Sequence, residues 1–212
     1  MILDHRLLYG ILDLGYVESE RCVETAEAML AGGVGILQLR AKNLASADIL
    51  SLALKISPLC RAAGVPFVIN DHPELIEPSG ADGVHVGQDD ISVAEARRLA
   101  GAGKLVGLST HSPAQAKAAI DQRPDYIGFG PLFATPTKPD YQPIGTADIA
   151  EVHREVTLPI FCIGGIKREN LSSVLATGAR RVVIVSGILQ APDIATYCRD
   201  CLSILESQKR GD

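Results

Sequence analysis

Tryptophan is absent from this chain, and aromatic residues make up only 4% of it. Base-stacking surfaces are therefore scarce, which argues against single-stranded nucleic acid as a partner. An excess of positive charge is missing too: 20 Lys and Arg stand against 25 Asp and Glu, a formal net charge of -5. Such a chain has no general attraction for a polyanion. No apolar run approaches the roughly 18 residues that would read as a membrane span. Met1 to Arg6 does not open a signal peptide, and the apolar stretch Leu7 to Leu12 stops at Asp13, too early for a leader's apolar region. The expectation is a cytoplasmic protein whose partners are small-molecule substrates, with no nucleic acid and no membrane. Oligomeric state stays open, and a homo-oligomer is allowed.

Cysteine is also sparse. Cys22, Cys60, Cys162, Cys198 and Cys201 are odd in number and fall in patterns that read as helix or strand. Buried thiols are expected. Cys198 and Cys201 are spaced as CxxC, but no second pair or His follows, so zinc binding or redox use is not the reading.

What is present alternates. Short β-rich runs are followed by Ala- and Leu-rich amphipathic stretches. Strands are expected at Leu8–Asp13, Gly35–Arg40, Pro66–Asn70, Gly83–Val86, Leu105–Ser109, Tyr126–Gly130, Ile160–Gly164 and Arg181–Ser186. Helical stretches between them open on Ser19, Ser46, Ser92, Ser112-Pro113 and Thr146, whose hydroxyls suit the unpaired N–H groups of a first turn. Runs such as Val182-Val183-Ile184-Val185 suit a parallel sheet buried on both faces. Eight such units in 212 residues predict a single-domain (β/α)₈ TIM barrel spanning 1–212. A doubly wound sheet would place a Gly-rich fingerprint after the first strand, and Leu12-Asp13-Leu14-Gly15-Tyr16 is no such fingerprint.

In such a barrel the active site lies at the C-terminal strand ends. The unusual polar residues fall there. Gln38, Arg40 and Lys42 end the second strand, and their spacing of two directs them to one side while the chain stays extended. Asn70-Asp71 ends the third, and Gln88-Asp89-Asp90 follows the fourth. Ser109 ends the fifth, with His111 beyond it. The longest loop, Leu132 to Gly145, carries Thr135, Thr137 and Lys138 and is a candidate lid. Arg and Lys hold phosphate oxygens, and paired carboxylates hold Mg²⁺, which bridges them. Each piece has a plainer reading: Asp71, Asp89 and Asp90 as turn caps, His111 as a cap or packing residue, Gly164-Gly165 as a tight turn. Six strand ends on one rim favour the joint reading of a Mg²⁺-assisted diphosphate site. Gly165, Ser186 and Gly187, after strands seven and eight, suit a second anion, a phosphomonoester.

These residues resemble the thiamine phosphate synthase family. The likeness rests on Gln38-Leu39-Arg40-Ala41-Lys42, Asn70-Asp71, the run Gly83 to Asp90, Gly107-Leu108-Ser109-Thr110-His111 and Tyr126 to Pro131. It continues through Thr135-Pro136-Thr137-Lys138, Ile163 to Ile166 and Val185 to Ile188. The resemblance implies a transferase of thiamine biosynthesis on a (β/α)₈ barrel. It would couple 4-amino-5-hydroxymethyl-2-methylpyrimidine diphosphate to 4-methyl-5-(2-phosphoethyl)thiazole with Mg²⁺, through a pyrimidine carbocation, releasing thiamine phosphate and diphosphate. It further implies that Gln38, Leu39, Arg40, Ala41, Lys42, Asn70, Ser109 and Lys138 contact the pyrimidine diphosphate. Of these, Arg40, Lys42, Ser109 and Lys138 would act in catalysis. Asp71 and Asp90 would hold Mg²⁺, and Thr135, Pro136, Thr137, Gly165, Val185 and Ser186 would line the thiazole phosphate site. Leu12, His72, Pro139 and Gly187 depart from the family's usual residues without removing a ligand. The rival readings are a thiazole tautomerase-like isomerase, a non-catalytic thiazole phosphate sensor, and a sugar-phosphate barrel enzyme.

Overall fold

The computed structural model describes Leu3, residues 5–135 and residues 142–209. Eight parallel strands close into a barrel: β1 (Leu8–Asp13), β2 (Ile36–Arg40), β3 (Phe67–Asn70), β4 (Gly83–Val86), β5 (Leu105–Thr110), β6 (Tyr126–Phe129), β7 (Ile160–Cys162) and β8 (Val182–Ile184). β8 pairs back onto β1 through Tyr9 and Val183, so the sheet has no edge.

Strand alternation sorts the core into two layers. Tyr9, Ile11, Ile36, Val68, Tyr126, Phe161, Val183 and Val185 pack with one another inside the barrel. Their neighbours in sequence, including Leu8, Leu12, Leu37, Leu39, Ile69 and Val84, pack outward against the helices. Each such fully buried aliphatic side chain contributes about 1.5–3 kcal/mol.

The helices around the barrel are α1 (Cys22–Ala31), α2 (Ser46–Ala63), α3 (Ile76–Ser79), α4 (Val93–Ala100), α5 (Pro113–Gln122), α6 (Ile149–Glu155), α7 (Arg168–Ala176), α8 (Ser186–Leu189) and α9 (Ile194–Lys209). Ser92 and Ser112 cap as expected, accepting the N–H groups of Glu95 and Gln115. Ser46 does not: it is the first helical residue of α2, and Ala45 holds the cap position without a side-chain bond. The helix expected from Thr146 starts only at Ile149, whose N–H bonds the Thr146 carbonyl. Ser19 opens a short 3-10 turn, Ser19–Arg21, that leads into α1.

β7 and β8 are shorter than the sequence pattern suggests. Gly164 and Gly165 take φ of 100° and 64°, a left-handed turn that ends the extended chain. Ser186 enters the single turn of α8. All five cysteines are buried free thiols. Burial pushes Cys60, Cys162, Cys198 and Cys201 up to about 12 and Cys22 to about 11, so they stay protonated and inert. No helix among the described residues is long and apolar enough to cross a membrane.

Candidate active site

One cavity opens at the C-terminal end of the barrel. Gln38, Arg40, Asn70 and Ser109 line one wall, and Thr135, Gly165, Val185 and Ser186 line another. The structure thus brings together eight of the residues expected at the site, contributed by strands or loops on both halves of the barrel. Leu39 and Ala41 belong to the core shared with the helices, so only their main chain is available to the site. Pro136, Thr137 and Lys138, in the middle stretch 136–141 of the candidate lid, lie outside the described residues.

Lys42 shows where spacing alone falls short. β2 ends at Arg40, so the period of two does not carry on to Lys42. Lys42 sits instead on the rim, half exposed, with Nζ 3.1 Å from the Asp71 carboxylate. Asp71 follows β3 with φ 66°, a backbone state that Asp tolerates better than most residues. Its N–H bonds the His85 carbonyl and ties the end of β3 to β4. Asp90 Oδ2 accepts the Gly87 N–H at 2.6 Å, so this carboxylate does cap its own loop.

Arg40 is anchored by a residue that sequence reasoning missed. Its Nη1 lies 2.6 Å from Asp13 Oδ2, and the two side chains are 14% and 3% exposed. Asp13 Oδ1 also accepts the Gly15 N–H at 2.9 Å. Holding the guanidinium by one nitrogen leaves its other N–H donors for an anion in the cavity. In the sequence Asp13 only ends an inward-facing run; the register of β1 on β2 is what sets it beside Arg40.

Ile11, Ile163, Val183 and His85 also line the cavity without having been singled out, whereas His111 stood among the candidates beyond the fifth strand. Ile11, Ile163 and Val183 give the cavity apolar walls. His85 reaches it from β4 and bonds Ser109 Oγ at 2.9 Å. His111 lines it as well, its Nδ1–H donating to the Gly130 carbonyl at 2.5 Å and its own N–H bonding Gln115. The glycine pair after β7 is a packing requirement: a Cβ on Gly165 would lie 2.6 Å from the Phe133 Cβ. Gly187 also has a local cause. A Cβ there would come within 2.6 Å of the Tyr197 hydroxyl, which accepts the Arg168 N–H at 2.8 Å.

Mg²⁺ fits the donors present only in part-protein coordination. Among the described residues no three His, Cys, Asp or Glu side chains converge to hold a metal. Asp71 and Asp90 are two carboxylates on adjacent loops, and Mg²⁺ is commonly held by one or two carboxylates with water and substrate phosphates.

The fold and the cavity define a (β/α)₈ barrel protein with its polar site at the strand C-termini. A family model described as thiamine monophosphate synthase matches residues 8–188. A thiamine-phosphate synthase of Pelotomaculum thermopropionicum is 39% identical over 203 residues, covering 95% of this chain and 93% of the relative. One of Chloroflexus aurantiacus is 38% identical over 205 residues, covering 96% and 94%. A solved thiamine phosphate pyrophosphorylase from Pyrococcus furiosus superposes with a TM-score of 0.87 at 27% identity, covering 96% of each chain. The chain belongs to the thiamine phosphate synthase family and is a transferase.

Proposed function

We propose that this cavity joins 4-amino-5-hydroxymethyl-2-methylpyrimidine diphosphate to 4-methyl-5-(2-phosphoethyl)thiazole, giving thiamine phosphate and diphosphate. The observation that carries the reading is a single space with two unlike walls. One wall carries Gln38, Asn70, Ser109 and the anchored Arg40; the other carries Gly165 and the start of the Ser186 turn.

The chemistry asks little of acids and bases. Diphosphate departs readily once its growing charge is met. Arg40, Lys42 and, from outside the described residues, Lys138 supply that charge. The aminopyrimidine spreads the positive charge left on the methylene carbon, and the thiazole nitrogen, which carries no proton, attacks it. No general base is needed. Mg²⁺ held by Asp71 and Asp90, and completed by diphosphate oxygens and water, would offset the leaving group's charge. Gln38, Asn70 and Ser109 would hold the pyrimidine half. Thr135, Gly165, Val185 and Ser186, with Pro136 and Thr137, would seat the thiazole phosphate. First-turn N–H groups have no partner within their own helix, and those of Ser186 and Gly187 are available to an anion. The apolar wall of Ile11, Ile163 and Val183 helps keep water from the cation.

The test is direct. The purified protein is incubated with both substrates and Mg²⁺, and any thiamine phosphate is oxidised to fluorescent thiochrome. Fluorescence that needs both substrates and disappears with a chelator supports the reading. Asp71→Ala and Asp90→Ala should each lower Mg²⁺-dependent turnover by about 100-fold or more while the fold survives. Normal activity in both would refute the metal assignment. Isomerised thiazole without coupling would return the protein to the tautomerase reading.

A further inference from the structure

A chain of side-chain hydrogen bonds crosses the barrel beneath the cavity. Gln38 Nε2 donates to the Tyr9 hydroxyl at 2.7 Å. The Tyr9 and Tyr126 hydroxyls are 2.9 Å apart. Tyr126 Oη lies 3.2 Å from His85 Nδ1, and His85 Nε2 lies 2.9 Å from Ser109 Oγ. Five strands contribute one residue each. The two ends, Gln38 and Ser109, line the cavity along with His85, whereas Tyr9 and Tyr126 are buried behind it.

Two independent features keep the chain assembled. The Tyr9, Tyr126 and Phe161 rings pack edge to face, with centroids 5.4–5.8 Å apart. Gly107 stands in register between His85 on β4 and Tyr126 on β6. A Cβ there would overlap both the Tyr126 ring and His85 Nδ1. The missing side chain is the opening through which the phenol and the imidazole meet.

Proton counting gives the chain a direction. In the order that starts from the Gln38 amide, Tyr9 accepts a hydrogen bond from Gln38 and donates its O–H to Tyr126, and Tyr126 donates its O–H to a lone pair on His85 Nδ1. That order puts the imidazole proton on Nε2, where it is donated to Ser109 Oγ. Ser109 has accepted, so its own hydroxyl proton is left for the cavity that it lines, and Gln38, whose Nε2 is used on Tyr9, has its carbonyl oxygen left to offer there. Burial raises both phenols above their ordinary range, so neither loses its proton near neutral pH.

We propose that Tyr9, Tyr126 and His85 form a directional relay that holds Ser109 as a hydrogen-bond donor and Gln38 as an acceptor on the cavity wall. Tyr9 and Tyr126 are positioning residues: they act through Gln38, His85 and Ser109. The relay favours a heteroaromatic ring that offers an acceptor to Ser109 and an N–H donor to Gln38, as an aminopyrimidine does. That consequence rests on the synthase reading of the cavity; the relay itself does not.

The experiment combines imidazole ¹⁵N NMR with kinetics. In the wild type, long-range ¹H–¹⁵N correlation should show neutral His85 with its proton on Nε2, its signals assigned by their loss in His85→Gln. Tyr126→Phe cuts the relay without touching the cavity. It should shift His85 toward a mixture of tautomers and lower kcat/KM for the pyrimidine diphosphate about tenfold, the effect of one lost hydrogen bond. The KM for the thiazole phosphate should not move. Tyr9→Phe should act in the same direction. A wild-type His85 with its proton on Nδ1, or a tautomer and rate indifferent to Tyr126→Phe, would overturn the relay. A tautomer that responds as stated in a protein that makes no thiamine phosphate would uphold the relay and remove the synthase reading.

Discussion

Replacing Asp13 by Asn tests whether the cavity's guanidinium is held from below. Asn keeps the shape of the side chain and an oxygen for the Gly15 N–H, but it removes the charge facing Arg40 Nη1 at 2.6 Å. Breaking a fully buried ion pair by losing one partner costs about 3–5 kcal/mol. Arg40 keeps 14% of its side chain exposed toward the cavity, where water can solvate part of the charge. That exposure scales the cost down to about 2 kcal/mol, near the worth of one charge-assisted hydrogen bond. For a domain of this size the melting temperature should fall by about 4–8 °C. Urea unfolding of Asp13→Asn, Arg40→Met and the double variant gives the coupling directly. An interaction term of about 1–2 kcal/mol is expected. Kinetically, a released Arg40 should raise the KM for the pyrimidine diphosphate and leave that for the thiazole phosphate unchanged. Additive stabilities within about 0.3 kcal/mol, with unchanged KM values, would refute the anchoring role.

Gly107→Ala should lower stability by about 1–3 kcal/mol through overpacking against Tyr126 and His85, and thermal unfolding that matches wild type would show that this layer has room. His153 predicts a specific acid sensitivity. Burial, with Arg180 and Arg181 nearby, lowers its pKa from 6.5 to about 4, and its Nε2 has no hydrogen-bond partner among the described residues. Folding therefore favours the neutral ring: this contribution is complete above pH 6.5 and is lost as pH falls through about 4. Urea midpoints measured from pH 7 to 4 should flatten in His153→Gln, and an unchanged profile would count against the assignment.

Much of the site was legible because strand geometry is local. Gln38 and Arg40 share a face of β2 for the covalent reason that side chains alternate, and both line the cavity. Asn70, Ser109, Gly165 and Ser186 were found by the same rule, that barrel sites collect at strand C-termini. Lys42 reached the same rim by another route, since the strand stops at Arg40 and the pairing with Asp71 places the ammonium. Asp13 and His85 escaped because nothing local distinguishes an inward Asp or His from one that merely caps or packs.

The sequence by itself determined the alternation of strands and helices, the inward and outward faces of each strand, and the family. These follow from periodicities of a few residues and from motifs read in order. Only the tertiary structure decided which inward residues meet. Tyr9 and Tyr126 are 117 positions apart, yet their hydroxyls touch because the sheet closes and its register sets both in one layer. Register around a closed barrel is shared by all eight strands at once. The anchor beneath Arg40 and the relay from Gln38 to Ser109 both depend on it.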